Sequence, residues 1–334
     1  MSGENSQNGI NVHLPYNRLG ILDRCKGSGI AWVRIDLNWD SIELSKGQCN
    51  FDQANLVVQK AKALGLNIFA TLAYSPKWAN GSKEHQYPPV DAQDWGRFVT
   101  NVVTHFKNDI KHWGIWNEPN LPSFFGGTFD EYISKILIVG AKAAKNADPS
   151  CKVLGPDLSS YIDKNNAGSS WCIWLKRILQ NSEARDCIDI ISHHIYSWPD
   201  KPVEFFFWNR MEQDVFRQLD GTSRIGDKWS ESLKSILEGC GSSKKEVWIT
   251  ETGREWKGAG GKEIGLTAQG KLYPAFLNSM AKRSWMKKVF FYEVLDDSKV
   301  VTPMYFGILN EDASFSPRPA MQEYSKWIKD HLSV

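Results

Sequence analysis

The feature that most limits what this chain can fold into is an alternation. Short apolar runs recur along it, each followed by a longer stretch in which apolar side chains return at every third or fourth place. Eight such runs are legible: Ile10–His13, Trp32–Leu37, Ile68–Ala73, Trp113–Asn117, Lys152–Gly155, Ile188–His194, Val247–Glu251 and Val289–Glu293. A βαβα order of this kind calls for a parallel sheet covered by helices. Eight units are the number that closes into a (β/α)8 TIM barrel, so the expected class is α/β.

Local signals agree with that reading. Asp52 stands as a cap before Leu56, Val57, Ala61 and Leu64, and Gly65 closes the segment, which predicts a helix after the second strand. Ser316 and Pro317 precede Ala320, Tyr324, Trp327, Ile328 and Leu332 at helical spacing, with Lys329 and His331 near the end, so the chain is expected to finish on a helix. No linker or low-complexity block divides the 334 residues, and one barrel over residues 1–334 accounts for them. Two longer stretches, 197–241 and 255–266, read as loops after the sixth and seventh strands. Such loops build the active-site face of a barrel.

Composition excludes some classes of partner. Forty basic and thirty-eight acidic residues leave a net charge of +2 with no basic stripe, which argues against nucleic acid. No stretch approaches eighteen apolar residues, so no membrane span is expected. The six cysteines (Cys25, Cys49, Cys151, Cys172, Cys187 and Cys240) show no metal-ligand spacing; an even count permits disulfides, and Cys151 and Cys187, at strand starts, fit buried thiols as well. The opening MSGENSQNG lacks the basic and apolar regions of a signal peptide. A secreted protein freed of its leader reads the same way, so both compartments stay open. Fifteen tryptophans stand out, and Trp39, Trp78, Trp116, Trp198 and Trp256 fall near strand ends. A tryptophan face suits stacking on a sugar ring, and core packing is the equal alternative for each.

The sharpest chemical signal is Trp116-Asn117-Glu118-Pro119-Asn120, which puts a carboxyl group and an amide at the end of the fourth strand, where Pro119 stops the ladder. A second carboxylate, Glu251, follows Val247-Trp248-Ile249-Thr250 at the end of the seventh. Three βα units separate the two glutamates, so they face each other across one barrel mouth. Retaining hydrolysis of a glycosidic bond needs that pair: a carboxylic acid to protonate the leaving oxygen and a carboxylate to attack the anomeric carbon, about 5–5.5 Å apart. Either glutamate alone fits a strand-end cap.

These residues carry a family resemblance. Trp-Asn-Glu-Pro at strand four and Thr-Glu-Thr-Gly at strand seven resemble glycoside hydrolase clan A, whose members are retaining enzymes on a (β/α)8 barrel. The resemblance implies Glu118 as acid/base, Asn117 as the partner of the sugar 2-hydroxyl and Glu251 as nucleophile. Arg34 on strand two and His194-Ile195-Tyr196 after strand six match the clan's supporting positions. Arg34 and Tyr196 are expected to hydrogen-bond Glu251, and His194 to orient a carboxylate or a sugar hydroxyl. Structural alternatives stand beside each: an ion pair for Arg34, a core histidine for His194, packing for Tyr196. The adjacent His193 is expected to point away from His194, as strand neighbours do, which argues against a shared metal.

Within the clan the chain is most similar to glycoside hydrolase family 39 and its relatives, through Ala31–Asp36, Tyr74–Ala79 and Trp116–Pro122. It departs at strand eight, where many clan members carry a tryptophan beneath the sugar and this chain reads Phe290-Phe291-Tyr292-Glu293. Tyr292 takes the platform role or the innermost subsite is built differently; Glu293 then meets sugar hydroxyls or forms a strand-end ion pair. An appended β-sandwich, frequent among family members acting on xylosides, is absent from the sequence, so a β-xylosidase is less expected.

The implied function is hydrolysis of β-linked glycosides, oligosaccharides or polysaccharides by double displacement, without cofactor or metal. Carbohydrate is the implied partner, and a monomer is the default state. Trp39, Trp78, Trp198 and Trp256 spread along the mouth favour an extended cleft and endo action. The alternatives are a transglycosylase using the same covalent intermediate and a non-catalytic carbohydrate-binding barrel.

Overall fold

A computed structural model describes residues 6–160, 170–196, 217–221, 231–258, 265–297 and 303–332. Eight parallel strands close on themselves in sequence order. They are β1 (Asn8–Asn11), β2 (Trp32–Asn38), β3 (Asn67–Ala73), β4 (His112–Ile115), β5 (Lys152–Ser159), β6 (Ile190–His194), β7 (Glu246–Thr252) and β8 (Met286–Phe291). Helices alternate with the strands and pack outside, among them Ala92–Phe106 after β3 and Leu266–Ala281 after β7. Among the described residues no helix is long and apolar enough to cross a membrane.

Strand order is as the alternation predicts, and the ends move by a few residues. The largest shift is at β5, which runs on to Ser159. The fourth strand stops at Ile115, before Asn117 and Glu118, because Trp116 turns to φ 74° and leaves the extended region. The helix after β2 starts at Asp52 itself, with Phe51 as the cap, and Gly65 follows it with φ 65°. The last helix begins at Pro319, two residues later than Pro317 suggests; Pro317 instead bridges to Leu309.

The barrel interior is layered. Trp32, Phe69, Leu154, Ile190, Trp248 and Phe290 form a cluster of their own, contributed by β2, β3, β5, β6, β7 and β8. Trp248 is its centre, with Trp32 at 5.2 Å and Phe290 at 6.0 Å between ring centroids. The two remaining strands give glycine at this level. A Cβ on Gly9 would lie 2.6 Å from Phe290, and one on Gly114 would lie 3.0 Å from Phe69, so six large side chains fit only because β1 and β4 supply none. Period two along β2 then lifts the next inward residue, Arg34, above this floor and Asp36 above that, into the mouth.

Candidate active site

Backbone strain gathers where the strands end. Of the seven non-glycine residues with positive φ among those described, five are His13, Tyr74, Trp116, Glu118 and Asp157, at the C-terminal ends of β1, β3, β4 and β5. Such conformations persist only where surrounding contacts over-determine them. Three of them, His13, Tyr74 and Glu118, line one cavity of about 320 Å³, together with Asp36, Asn117, Tyr196, Glu251 and Tyr292 among others.

Glu251 reaches the interior through an irregularity. The pairing of β7 with both neighbours shifts register around Thr250 and Glu251. On a regular strand those two side chains would point to opposite faces; with the bulge both turn inward. Thr250 donates its hydroxyl to Asp157, while Glu251 accepts from Arg34 Nη1 through one oxygen and from the Tyr196 hydroxyl at 2.8 Å through the other. Arg34 is 2% exposed and spends its whole fork. Nε donates to Thr71 at 2.9 Å, Nη1 also to Asn11 at 2.9 Å, and Nη2 to the Asn117 carbonyl at 2.8 Å. That last bond fixes the Asn117 amide, whose nitrogen faces Tyr74 Oη at 3.4 Å.

Glu118 is anchored differently. Its backbone N–H donates to Asp157 O at 3.1 Å, and one carboxylate oxygen meets His194 Nδ1 at 3.0 Å. The same Nδ1 lies 3.3 Å from Glu251, and Nε2 lies 3.6 Å from Asp157. Burial opposes charge on His194, but Glu251, Asp157 and Glu118 outweigh it and raise its pKa to about 9. Burial likewise works against ionisation of Asp157, yet His194, Arg34 and Thr250 hold it down to about 2. His193 turns outward against Trp171 at 4.8 Å, and burial lowers its pKa to about 3. Glu118, His194 and Glu251 each place an atom within 4.8 Å of the other two, close enough for a cation. The imidazole stands between the two carboxylates and can share its proton with either.

A second network rims the mouth. His13 bridges Asp36 at 2.6 Å and Glu293 at 2.8 Å, and Tyr292 packs edge-on against His13 at 5.6 Å. Glu293 is 2% exposed; burial raises its pKa to about 7 against the pull of His13. It therefore makes the strand-end ion pair rather than opening to the cavity, while Tyr292 does line the cavity.

The tryptophans are where the structure corrects the reading most. Trp39 is fully buried, stacked on Phe98 at 5.4 Å with its indole N–H on Glu43. Trp78 packs edge-on against Trp39 and donates to Glu43 O, outside the cavity. Trp116 is buried too, and Trp256 is tied to Asp296. Near a strand end a large ring is as easily drawn under a loop as over the mouth. Trp198 lies outside the described residues. All six cysteines are free thiols.

Asn11, His13, Asp36, Thr71 and Asp157 also join these networks, with no motif to mark them. Each is a polar residue in or at the end of an apolar run, and that break in pattern was the available signal.

Comparison with known proteins follows the same lines. A family model, Glycosyl hydrolases family 39, matches residues 21–232. A β-xylosidase from Geobacillus stearothermophilus is 27% identical over 191 residues, which is 51% of this chain and 36% of that protein. A β-xylosidase from Caldicellulosiruptor saccharolyticus is 29% identical over 241 residues, 65% of this chain and 45% of its own length. The chain thus spans less than half the length of these curated relatives. Among solved structures, a family 39 glycoside hydrolase from the gut symbiont Bacteroides cellulosilyticus WH2 shares the fold, with a TM-score of 0.69 at 18% identity over 98% of this chain and 64% of that one.

Proposed function

Because the chain belongs to glycosyl hydrolases family 39, we propose that it hydrolyses the O-glycosyl bond of a β-linked glycoside with retention at the anomeric carbon. Glu251 attacks that carbon while Glu118 protonates the departing oxygen, leaving a glycosyl ester and an alcohol. Water, deprotonated by Glu118, then releases the sugar. The observation that carries this reading is the approach of one oxygen from each carboxylate to within 4.8 Å. That supports the close pair of a retaining enzyme, about 5–5.5 Å, over the wider pair of an inverting one, about 6.5 Å or more.

The surroundings support the division of roles. Glu251 has both oxygens occupied by donors, Arg34 and Tyr196, which stabilises its anion. Glu118 meets His194 Nδ1 through one oxygen and lines the cavity. Asn117, immobilised by Arg34, is placed to meet the sugar 2-hydroxyl beside Glu118. The β linkage draws on the relatives, two of which are named β-xylosidases. Endo action loses its basis in Trp39, Trp78 and Trp256, none of which lines the cavity.

Glu251→Ala is expected to abolish turnover of aryl β-glycosides. Glu118→Ala should still react with activated aryl leaving groups, with azide rescuing the slow second step as a β-glycosyl azide. NMR of the first-formed anomer reads the stereochemistry. Full turnover by Glu251→Ala, or an inverted product, would overturn the assignment.

A further inference from the structure

We propose that the leaving-group side of this cavity is built for an apolar aglycone, an alkyl or aryl alcohol, rather than for a second sugar. The inference rests on the glycosidase reading above. In that mechanism the departing oxygen touches Glu118, so whatever is bonded to it lies against the segment that carries Glu118. That segment folds back on itself: Leu121 N–H donates to Glu118 O at 3.0 Å and Phe124 N–H to Leu121 O at 2.9 Å. Leu121 and Phe124 both line the cavity beside the acid.

The wall they form is anchored. The buried Trp116 indole donates to Phe124 O at 2.8 Å. Asn120 exchanges hydrogen bonds with the Ser159 backbone at 3.0 and 2.9 Å, and Gly126 N–H donates to Gln86 O at 3.0 Å. Met304 and Phe306, after β8, also line the cavity, Phe306 edge-on to Tyr196 at 5.8 Å and to Tyr292 at 5.4 Å.

Leu121 and Phe124, after β4, bring only carbon to the cavity, with Ser159 at the end of β5 beside them; among the described residues His13, Asp36 and Asn38 add polar lining at the ends of β1 and β2. Hydroxyls of a sugar bound on that side find partners there. A second sugar laid on Leu121 and Phe124 finds no hydrogen-bond partner on either side chain, and each hydroxyl buried there without one weakens binding roughly tenfold. An alkyl chain in the same place gains a factor of about four for each methylene it buries.

Octyl and methyl β-glycosides test this, because their leaving alcohols have similar acidity and differ in apolar length. The sugar used is the one that a panel of aryl β-glycosides selects, and the matching β-linked disaccharide is run beside them. The wild-type kcat/KM for the octyl glycoside is expected to exceed that for the methyl glycoside at least about tenfold, and to exceed that for the disaccharide. Phe124→Ser combined with Leu121→Ser is expected to bring the octyl-to-methyl ratio to about threefold or less. A misfolded fraction scales both rates equally, so the ratio still reads the wall. A wild-type ratio near one, a ratio unmoved by the double variant, or a preferred disaccharide overturns the inference and leaves the glycosidase reading standing. No turnover of any aryl β-glycoside removes that reading and the inference with it.

Discussion

Replacing Asp157 by asparagine would isolate the buried charge that lies beneath the two glutamates. Asp157 is fully buried, accepts the Thr250 hydroxyl and stands 3.6 Å from His194 Nε2. Burial by itself would discharge both groups; their attraction, with help from Arg34 on one side and the glutamates on the other, keeps Asp157 near 2 and His194 near 9. At that separation and an effective dielectric of about 20, the pair is worth about 5 kcal/mol, or roughly three pKa units. Asp157→Asn keeps the shape and an acceptor for Thr250 while removing the charge. His194 is therefore expected to titrate two to three units lower, roughly at the ordinary value of an imidazole. Long-range ¹H–¹⁵N correlation of the histidine rings, followed from pH 5 to pH 10, reads this without any substrate. Chemical denaturation at pH 7 should show a loss of about 3 kcal/mol, because Arg34 and His194 are left with less counter-charge. If the His194 titration moves by less than about half a unit, Asp157 does not set its charge and the argument fails.

Arg34→Lys keeps the charge but cannot span Thr71, Asn11, Asn117 and Glu251 together; losing two charge-assisted bonds, about 3 kcal/mol, should cut kcat/KM on the order of 100-fold, and a fall under about threefold would contradict it. Trp39→Phe should cost about 1–3 kcal/mol of stability through lost packing and the lost Glu43 bond, with KM within about twofold of wild type; a rise in KM beyond about fivefold would return Trp39 to the substrate site. Above pH 6.5, where the buried His193 is neutral in folded and unfolded chain alike, stability should fall as pH rises. His194 is raised from 6.5 to about 9, so its contribution is complete below 6.5 and is lost as pH climbs through 9. Glu293, raised from 4.5 to about 7, acts in the same direction between those values. A urea midpoint that increased from pH 7 to pH 9 would show that other groups dominate.

The linear sequence by itself determined the barrel and the positions of its two glutamates. Apolar runs separated by helical spacing admit few other architectures, and a carboxylate just past a run must lie at a strand end. Arg34, Asn117, His194 and Tyr196 were legible through the resemblance to clan A, whose motifs mark those positions in this sequence. Tertiary structure alone decided how they meet. Arg34 and Glu251 are 217 positions apart and bond across the closed ring between strands that are not neighbours. Thr250 and Glu251 both face inward only because β7 slips register, and a period-two pattern cannot foresee a bulge. Asp157 enters the site through a left-handed turn in β5, and His13 joins β1, β2 and β8 into one rim. The tryptophans show the opposite case. Their sequence position is the same whether a ring packs under a loop or over the mouth, and only competition for core volume sends Trp39 inward while Tyr292 and Phe306 line the cavity.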